Sequence, residues 1–276
     1  MECKTPIGIF DSGYGGLTIL EQIRKRLPQY DYIYAGDNAR SPYGSHSYEI
    51  IYECTLQAVK WFFRRGCRLV ILACNTASAK ALRTIQQKDL PVIDPERRIL
   101  GVIRPTVESL NKITRSTHIG ILGTQGTIAS RSYPIEIEKL FPHMTVESEA
   151  CPMWVSLVEN NEHDKQGADY FIKQHLENIL KKDILIDTLV LACTHYPLLE
   201  KKIRKHLSGE IRLVYQGQLV AESLENYLRR HPEIALKCSK GGSCRFYTTE
   251  VEEKFASMAS VFLKEKIETE RINFET

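Results

Sequence analysis

No stretch of this chain is apolar for long enough to span a bilayer, and its opening residues lack the cationic segment and long apolar core of a secretory leader. An excess of one charge is missing too. The 37 Lys and Arg and 34 Asp and Glu are interspersed and leave a formal charge of only +3, so there is no basic footprint for nucleic acid or an anionic membrane surface. Small polar substrates and a cytoplasmic location are the expectations. Cysteine is too sparse and too irregularly spaced, at eight in 276 residues, to knit a disulfide scaffold, and reduced thiols are expected. Cys238 and Cys244 flank Lys240-Gly241-Gly242-Ser243 with the wrong spacing for a zinc knuckle and no second Cys/His pair nearby, so no metal is expected. Low-complexity linkers are absent as well, although the length suffices to bury a substantial core without staples.

What is present is a repeated pentapeptide. Leu72-Ala73-Cys74-Asn75-Thr76 and Leu191-Ala192-Cys193-Thr194-His195 each close an apolar, β-rich run, so two thiols are delivered by matching strand-to-loop turns. One such thiol suggests a hydrolase or transferase; two suggest a reacting centre approached from both sides, as in a racemase. Ile7-Gly8-Ile9-Phe10 opening into a Gly-rich loop likewise returns as Ile119-Gly120-Ile121-Leu122 opening into Gly123-Thr124-Gln125-Gly126-Thr127. The offsets of the two repeats are similar and in the same order, which predicts two related halves.

Short apolar runs at 7–10, 32–35, 69–73, 92–93, 119–122, 145–148, 188–192 and 211–215 read as strands. Between them, 17–27, 48–65, 168–180, 219–230 and 251–263 carry apolar residues at helical spacing. Alternation of this kind predicts an α/β fold of two pseudo-symmetric α/β halves with mainly parallel sheets and the active site in the cleft between them. Residues 1–100 are expected to form the first half, completed by 211–276, and 101–210 the second.

In parallel sheets functional groups gather at the carboxyl ends of strands, where helix-terminal N–H groups also stabilise a thiolate. Cys74 and Cys193 occupy such ends and are followed by polar residues, whereas Cys3, Cys54, Cys67 and Cys151 read as small core hydrophobes. Phe10-Asp11-Ser12-Gly13-Tyr14-Gly15-Gly16 is a Gly-rich turn suited to an anion such as a substrate carboxylate, yet it has neither the P-loop ending nor the dinucleotide spacing. Asp11 is open to a capping role or to one beside a thiol. Pro42-Tyr43-Gly44 reads as a turn. His195, two residues beyond a thiol, reads as a proton partner, and spacing alone does not separate Glu159 from Glu162.

Together these motifs resemble the glutamate racemases, cofactor-independent members of the aspartate/glutamate racemase superfamily. The resemblance is carried by Gly8-Ile9-Phe10-Asp11-Ser12-Gly13, Pro42-Tyr43-Gly44, Ala73-Cys74-Asn75-Thr76, Gly123-Thr124 with Gly126-Thr127, Cys151-Pro152 with Leu157-Val158-Glu159, and Leu191 to Leu198. It implies an acid-base pair of Cys74 and Cys193, with Asp11 assisting the first thiol and Glu159 and His195 the second. The first thiolate would act on D-glutamate and the second on L-glutamate. Substrate contacts are implied for Asp11, Ser12, Tyr43, Gly44, Asn75, Thr76, Thr194 and His195. No cofactor is implied; a role in supplying D-glutamate for bacterial peptidoglycan is, and often a homodimer. Two departures stand out: Ser45-His46-Ser47, where many relatives carry a basic residue, and Gln216-Gly217-Gln218, where many have an acidic turn.

Racemisation needs a proton removed from one face of a carbon and another returned to the opposite face, so one thiol must start ionised and the other protonated. A free thiol, of pKa about 8.5, is only about 3% ionised at pH 7, and holding it as thiolate costs about 2 kcal/mol. Helix N-termini, the substrate ammonium or a protonated His195 can supply that, whereas bare carboxylates at Asp11 or Glu159 oppose it and suit proton relay or ammonium binding better. Rival readings are an aspartate racemase, a cysteine hydrolase using Cys193 with His195 and dispensing with Cys74, and a non-catalytic binding module.

Overall fold

Ten strands form two wholly parallel sheets in the computed structural model, which describes residues 4–275; Cys3 lies outside the described residues. The first sheet contains β1 (Ile7–Asp11), β2 (Tyr32–Gly36), β3 (Leu69–Leu72), β4 (Arg98–Gly101), β9 (Cys244–Thr248) and β10 (Thr269–Arg271), in the order β10-β9-β2-β1-β3-β4. The second, in the order β6-β5-β7-β8, contains β5 (His118–Gly123), β6 (Thr145–Ala150), β7 (Thr188–Ala192) and β8 (Arg212–Val214). The sub-order β2-β1-β3-β4 thus repeats as β6-β5-β7-β8, which is the structural form of the sequence repeat. Strands β1, β2, β3 and β7 are buried at every residue, and burial on both faces explains why they read as unbroken apolar runs instead of alternating ones.

The helices that matter for the site are α1 (Leu17–Arg26), α2 (Tyr48–Arg64), α3 (Asn75–Lys80), α4 (Ile103–Ile113), α5 (Gln125–Ala129), α6 (Ser132–Leu140), α7 (Pro152–Glu159), α8 (Gln166–Lys182), α9 (Gln216–Arg230) and α10 (Glu252–Leu263). Their apolar stripes supply the core. In α1, Leu17, Ile19, Leu20 and Ile23 point inward while Arg24, Lys25 and Arg26 occupy the last turn, complementing the helix dipole. Val220, Leu224 and Leu228 of α9 join the same core as α1, which ties the end of the second half to the start of the first.

Strands β4, β9 and β10 fall outside the runs read as strands, and two of those runs turn out differently. Val92 and Ile93 belong to a one-turn helix, Leu90–Ile93, with Pro91 in its first turn, and Val92 is 85% exposed. Proline is preorganised for that position, and the strand follows later as β4. Residues 211–215 do not begin a return to the first half. Strand β8 pairs with β7 in the second sheet; the return to the first half begins with α9, which packs on α1, and is completed where β9 pairs with β2.

Candidate active site

Parallel pairing brings the carboxyl ends of β1, β3 and β7 into one region. β1 and β3 are direct neighbours, with Phe10 opposite Leu72, so Asp11 and Ser12 emerge beside Cys74. Cys74 is the N-cap of α3: its Sγ accepts from the Ala77 N–H at 3.4 Å and lies 3.2 Å from Ser12 Oγ. A thiol in this place can receive hydrogen bonds from helix and loop, the arrangement that stabilises sulfur anions.

Cys193 emerges from the equivalent strand of the other sheet. Its Sγ lies 3.8 Å from His195 Nδ1, and His195 Nε2 is 3.0 Å from Glu159 Oε1 at the end of α7. Cysteine, histidine and glutamate therefore form one line. Ser41, from the first half, donates to the same Glu159 oxygen at 3.3 Å. Glu162, the alternative that spacing left open, pairs instead with Lys165 on the exposed surface.

Both thiols line one pocket with Ser12, Tyr43, Gly44, Asn75, Thr76, Thr194 and His195. Asp11 and Glu159 stand behind this wall. Asp11 is fully buried, accepting from the Gly13 N–H at 2.8 Å and from Thr194 Oγ1 at 3.4 Å. Tyr43 donates to Asp37, itself held by Arg40 at 2.7 Å. The pocket also takes in Ser41, Pro42, Thr124 and Val155, which the sequence reading had not singled out as site residues. Thr124 caps α5 and meets Thr76 at 2.9 Å across the two halves. Its place in the repeated Gly-rich loop was the available signal. Gly44 lies so near Thr124 that a Cβ there would come within 2.7 Å of the Thr124 Cβ, so only glycine lets the halves meet.

The two thiols sit in unlike electrostatic surroundings. Burial, reinforced by the Asp11 carboxylate, pushes the Cys74 thiol up to about 12, against the pull of the Ser12 and Ala77 hydrogen bonds. Burial also raises Asp11, with the nearby His195 acting the other way. For His195 burial alone would favour the neutral ring, yet the hydrogen bonds and charges of Cys193 and Glu159 outweigh it and raise the imidazole to about 10. At neutral pH, then, Cys74 is a thiol and Cys193 faces an imidazolium. Among the described residues no group of three or more His, Cys, Asp or Glu is arranged to hold a metal ion.

Residues 17–224 match the Asp/Glu/Hydantoin racemase family. A glutamate racemase of Ruegeria sp. (strain TM1040) is 40% identical over 271 residues, covering 95% of this chain and 97% of the relative. Among solved structures, a glutamate racemase isoform from Bacillus anthracis superposes with a TM-score of 0.88 at 33% identity, covering 98% of this chain and 97% of that one. The glutamate racemase of Francisella tularensis in complex with D-glutamate gives a TM-score of 0.86 at 30% identity, covering 99% and 98%.

Proposed function

This chain belongs to the Asp/Glu/Hydantoin racemase family, and we propose that it interconverts L- and D-glutamate, without a cofactor, using Cys74 and Cys193 as the two acid-base groups. The observation that carries this reading is the shared pocket: two thiols, each at the end of an equivalent strand of its own sheet.

Burial holds the proton on Cys74, and the His195 imidazolium is placed as counter-charge for the sulfur that acts first as base, Cys193 in the proposed path. With L-glutamate bound, the Cys193 thiolate takes the α-proton and its C–H electron pair passes into the carboxylate, giving an enolate-like intermediate. The Cys74 thiol then returns its own proton to the opposite face and is left as thiolate. D-glutamate runs the same path backwards. A single positioned acid or base contributes about 10² to 10⁴ in rate, so the developing charge also needs donors, for which Ser12, Asn75, Thr76 and Thr194 are placed around the pocket.

The product would be D-glutamate for peptidoglycan in a bacterial cytoplasm, with a homodimer as the proposed assembly. No helix among the described residues is long and apolar enough to cross a membrane. The test incubates purified protein with L-glutamate in deuterated water, no cofactor added, following optical rotation and α-deuterium, with aspartate in parallel. Loss of rotation with deuterium uptake for glutamate supports the reading; no exchange with either substrate, or exchange with aspartate alone, contradicts it.

A further inference from the structure

Directly behind the Cys74 turn lies a closed knot of side chains of which only Asn75 enters the steps above. Asn75, the first residue of α3, faces Gln216, the first residue of α9, and the two amides pair. Asn75 Nδ2 donates to Gln216 Oε1 at 2.6 Å, while Gln216 Nε2 stands 3.2 Å from Asn75 Oδ1, the longest of its three acceptor contacts. Gln216 Nε2 also donates to Tyr133 Oη at 2.7 Å and Thr106 Oγ1 at 2.9 Å. Tyr133 donates in turn to Asn75 Oδ1 at 2.7 Å, and Thr106 to the Val102 carbonyl at 2.8 Å. All four side chains are 3% exposed or less.

The direction of every bond is fixed by what ends the chain. Thr106 spends its proton on a carbonyl, which can only accept, so it must receive from Gln216. Tyr133 spends its own on Asn75 and must also receive from Gln216. Position 216 therefore has to donate twice and accept once, which an amide does and a carboxylate cannot. The four residues come from α3, α4, α6 and α9, and so from both halves of the molecule. The next residue anchors the other side: a Cβ on Gly217 would stand 2.7 Å from Gln22 Cγ, so the start of α9 is pressed against α1, the helix that follows the Asp11-Ser12 loop.

We infer that Gln216 is a positioning residue, which holds the Asn75 amide and through it the Cys74-Asn75-Thr76 turn in register with the opposite half. The inference rests on Cys74 being one of the two acid-base groups. Buried networks of this kind are costly to satisfy in part, and a displacement of a reacting group by about 1 Å costs on the order of a hundred-fold in rate.

The test compares the intact protein with Gln216→Glu, which keeps the shape and removes both donors, and with the milder Thr106→Val. Each is assayed for glutamate racemisation at a temperature where circular dichroism shows it folded. The rates at which iodoacetamide alkylates Cys74 and Cys193 are resolved by mass spectrometry. A loss of kcat of about ten-fold or more in Gln216→Glu, a smaller loss in Thr106→Val, and an alkylation rate altered at Cys74 but not at Cys193 support the assignment. Unchanged kcat and Cys74 alkylation in both variants overturn it, as do equal changes at the two thiols, which would mark general loosening. Because alkylation needs no substrate, it reads Gln216 even if the unaltered protein fails to racemise glutamate, an outcome that would count only against the proposed reaction.

Discussion

A histidine that keeps its proton to about pH 10 changes what a neighbouring thiol can be. His195 is buried, and burial alone would leave the ring neutral, but a sulfur on one side and a carboxylate on the other make the imidazolium the better state. The same shift bears on stability. Between the pKa of about 6.5 of an unfolded histidine and the folded value of about 10, the folded protein binds the extra proton, so this contribution is complete below the first and is lost as pH rises through the second. Thermal unfolding midpoints measured at pH 7 and pH 9.5 should fall further in the unaltered protein than in His195→Gln; an equal fall in both would mean that His195 is not the group responsible. Catalysis should follow the same line of atoms. Glu159→Gln removes the charge that holds the imidazolium, and we expect kcat with L-glutamate to drop by about ten- to a hundred-fold. His195 and the two thiols are residues that chemistry makes conspicuous in a sequence. Ser41, which shares Glu159 from 118 positions away, has no local signature, and Gln216 stood out in the sequence without its partner Asn75, 141 positions away, because only the folded chain brings them together.

Elements explain why Cys74 has a structural as well as a chemical part to play. As N-cap of α3 its sulfur receives the Ala77 N–H, a place where hydroxyl and carboxylate side chains are the usual acceptors. Cys74→Ser and Cys74→Ala should both lose about 10³-fold in racemisation, within the range for a positioned acid or base, but the serine variant should be more stable by about 1 kcal/mol because it keeps a cap. Chemical denaturation of the two variants checks this, and equal stability would remove the capping argument. At this scale the sequence was largely readable. The helical periods at 17–27, 48–65, 168–180, 219–230 and 251–263 appear as α1, α2, α8, α9 and α10 within a few residues, since each has a continuous apolar stripe to bury. Val92 and Ile93 misled because two adjacent apolar residues carry no period, and Pro91 was the signal that favoured a helical turn. β8 misled differently: a three-residue strand has no feature of its own that says which sheet it joins.

On the scale of the whole molecule, duplication is the organising fact. Two four-stranded units share the same strand order, so the same strand-to-loop turn, present once in each, brings both thiols to one pocket. Both thiols line the narrow pocket between the units, and we expect the two halves to part to admit an amino acid and meet again around it. Gly44 and Thr124 are one place where they meet. A methyl at Gly44 would stand 2.7 Å from Thr124 Cβ, and we expect Gly44→Ala to lower kcat/KM by about ten-fold or more by holding the halves apart. Steady-state kinetics decides it; undiminished kcat/KM would show that the contact does not govern closure.

The most direct trial of two thiols acting from opposite faces is the isotope pattern at the very start of the reaction, with L-glutamate in deuterated water and the mixture resolved into enantiomers after only a small fraction has turned over. Two groups of which one removes and the other returns predict deuterium at the α-carbon of the D-glutamate formed and ordinary hydrogen in the L-glutamate recovered. Substrate hydrogen carried into the product, or equal labelling of both enantiomers from the outset, would mean that one group does both jobs.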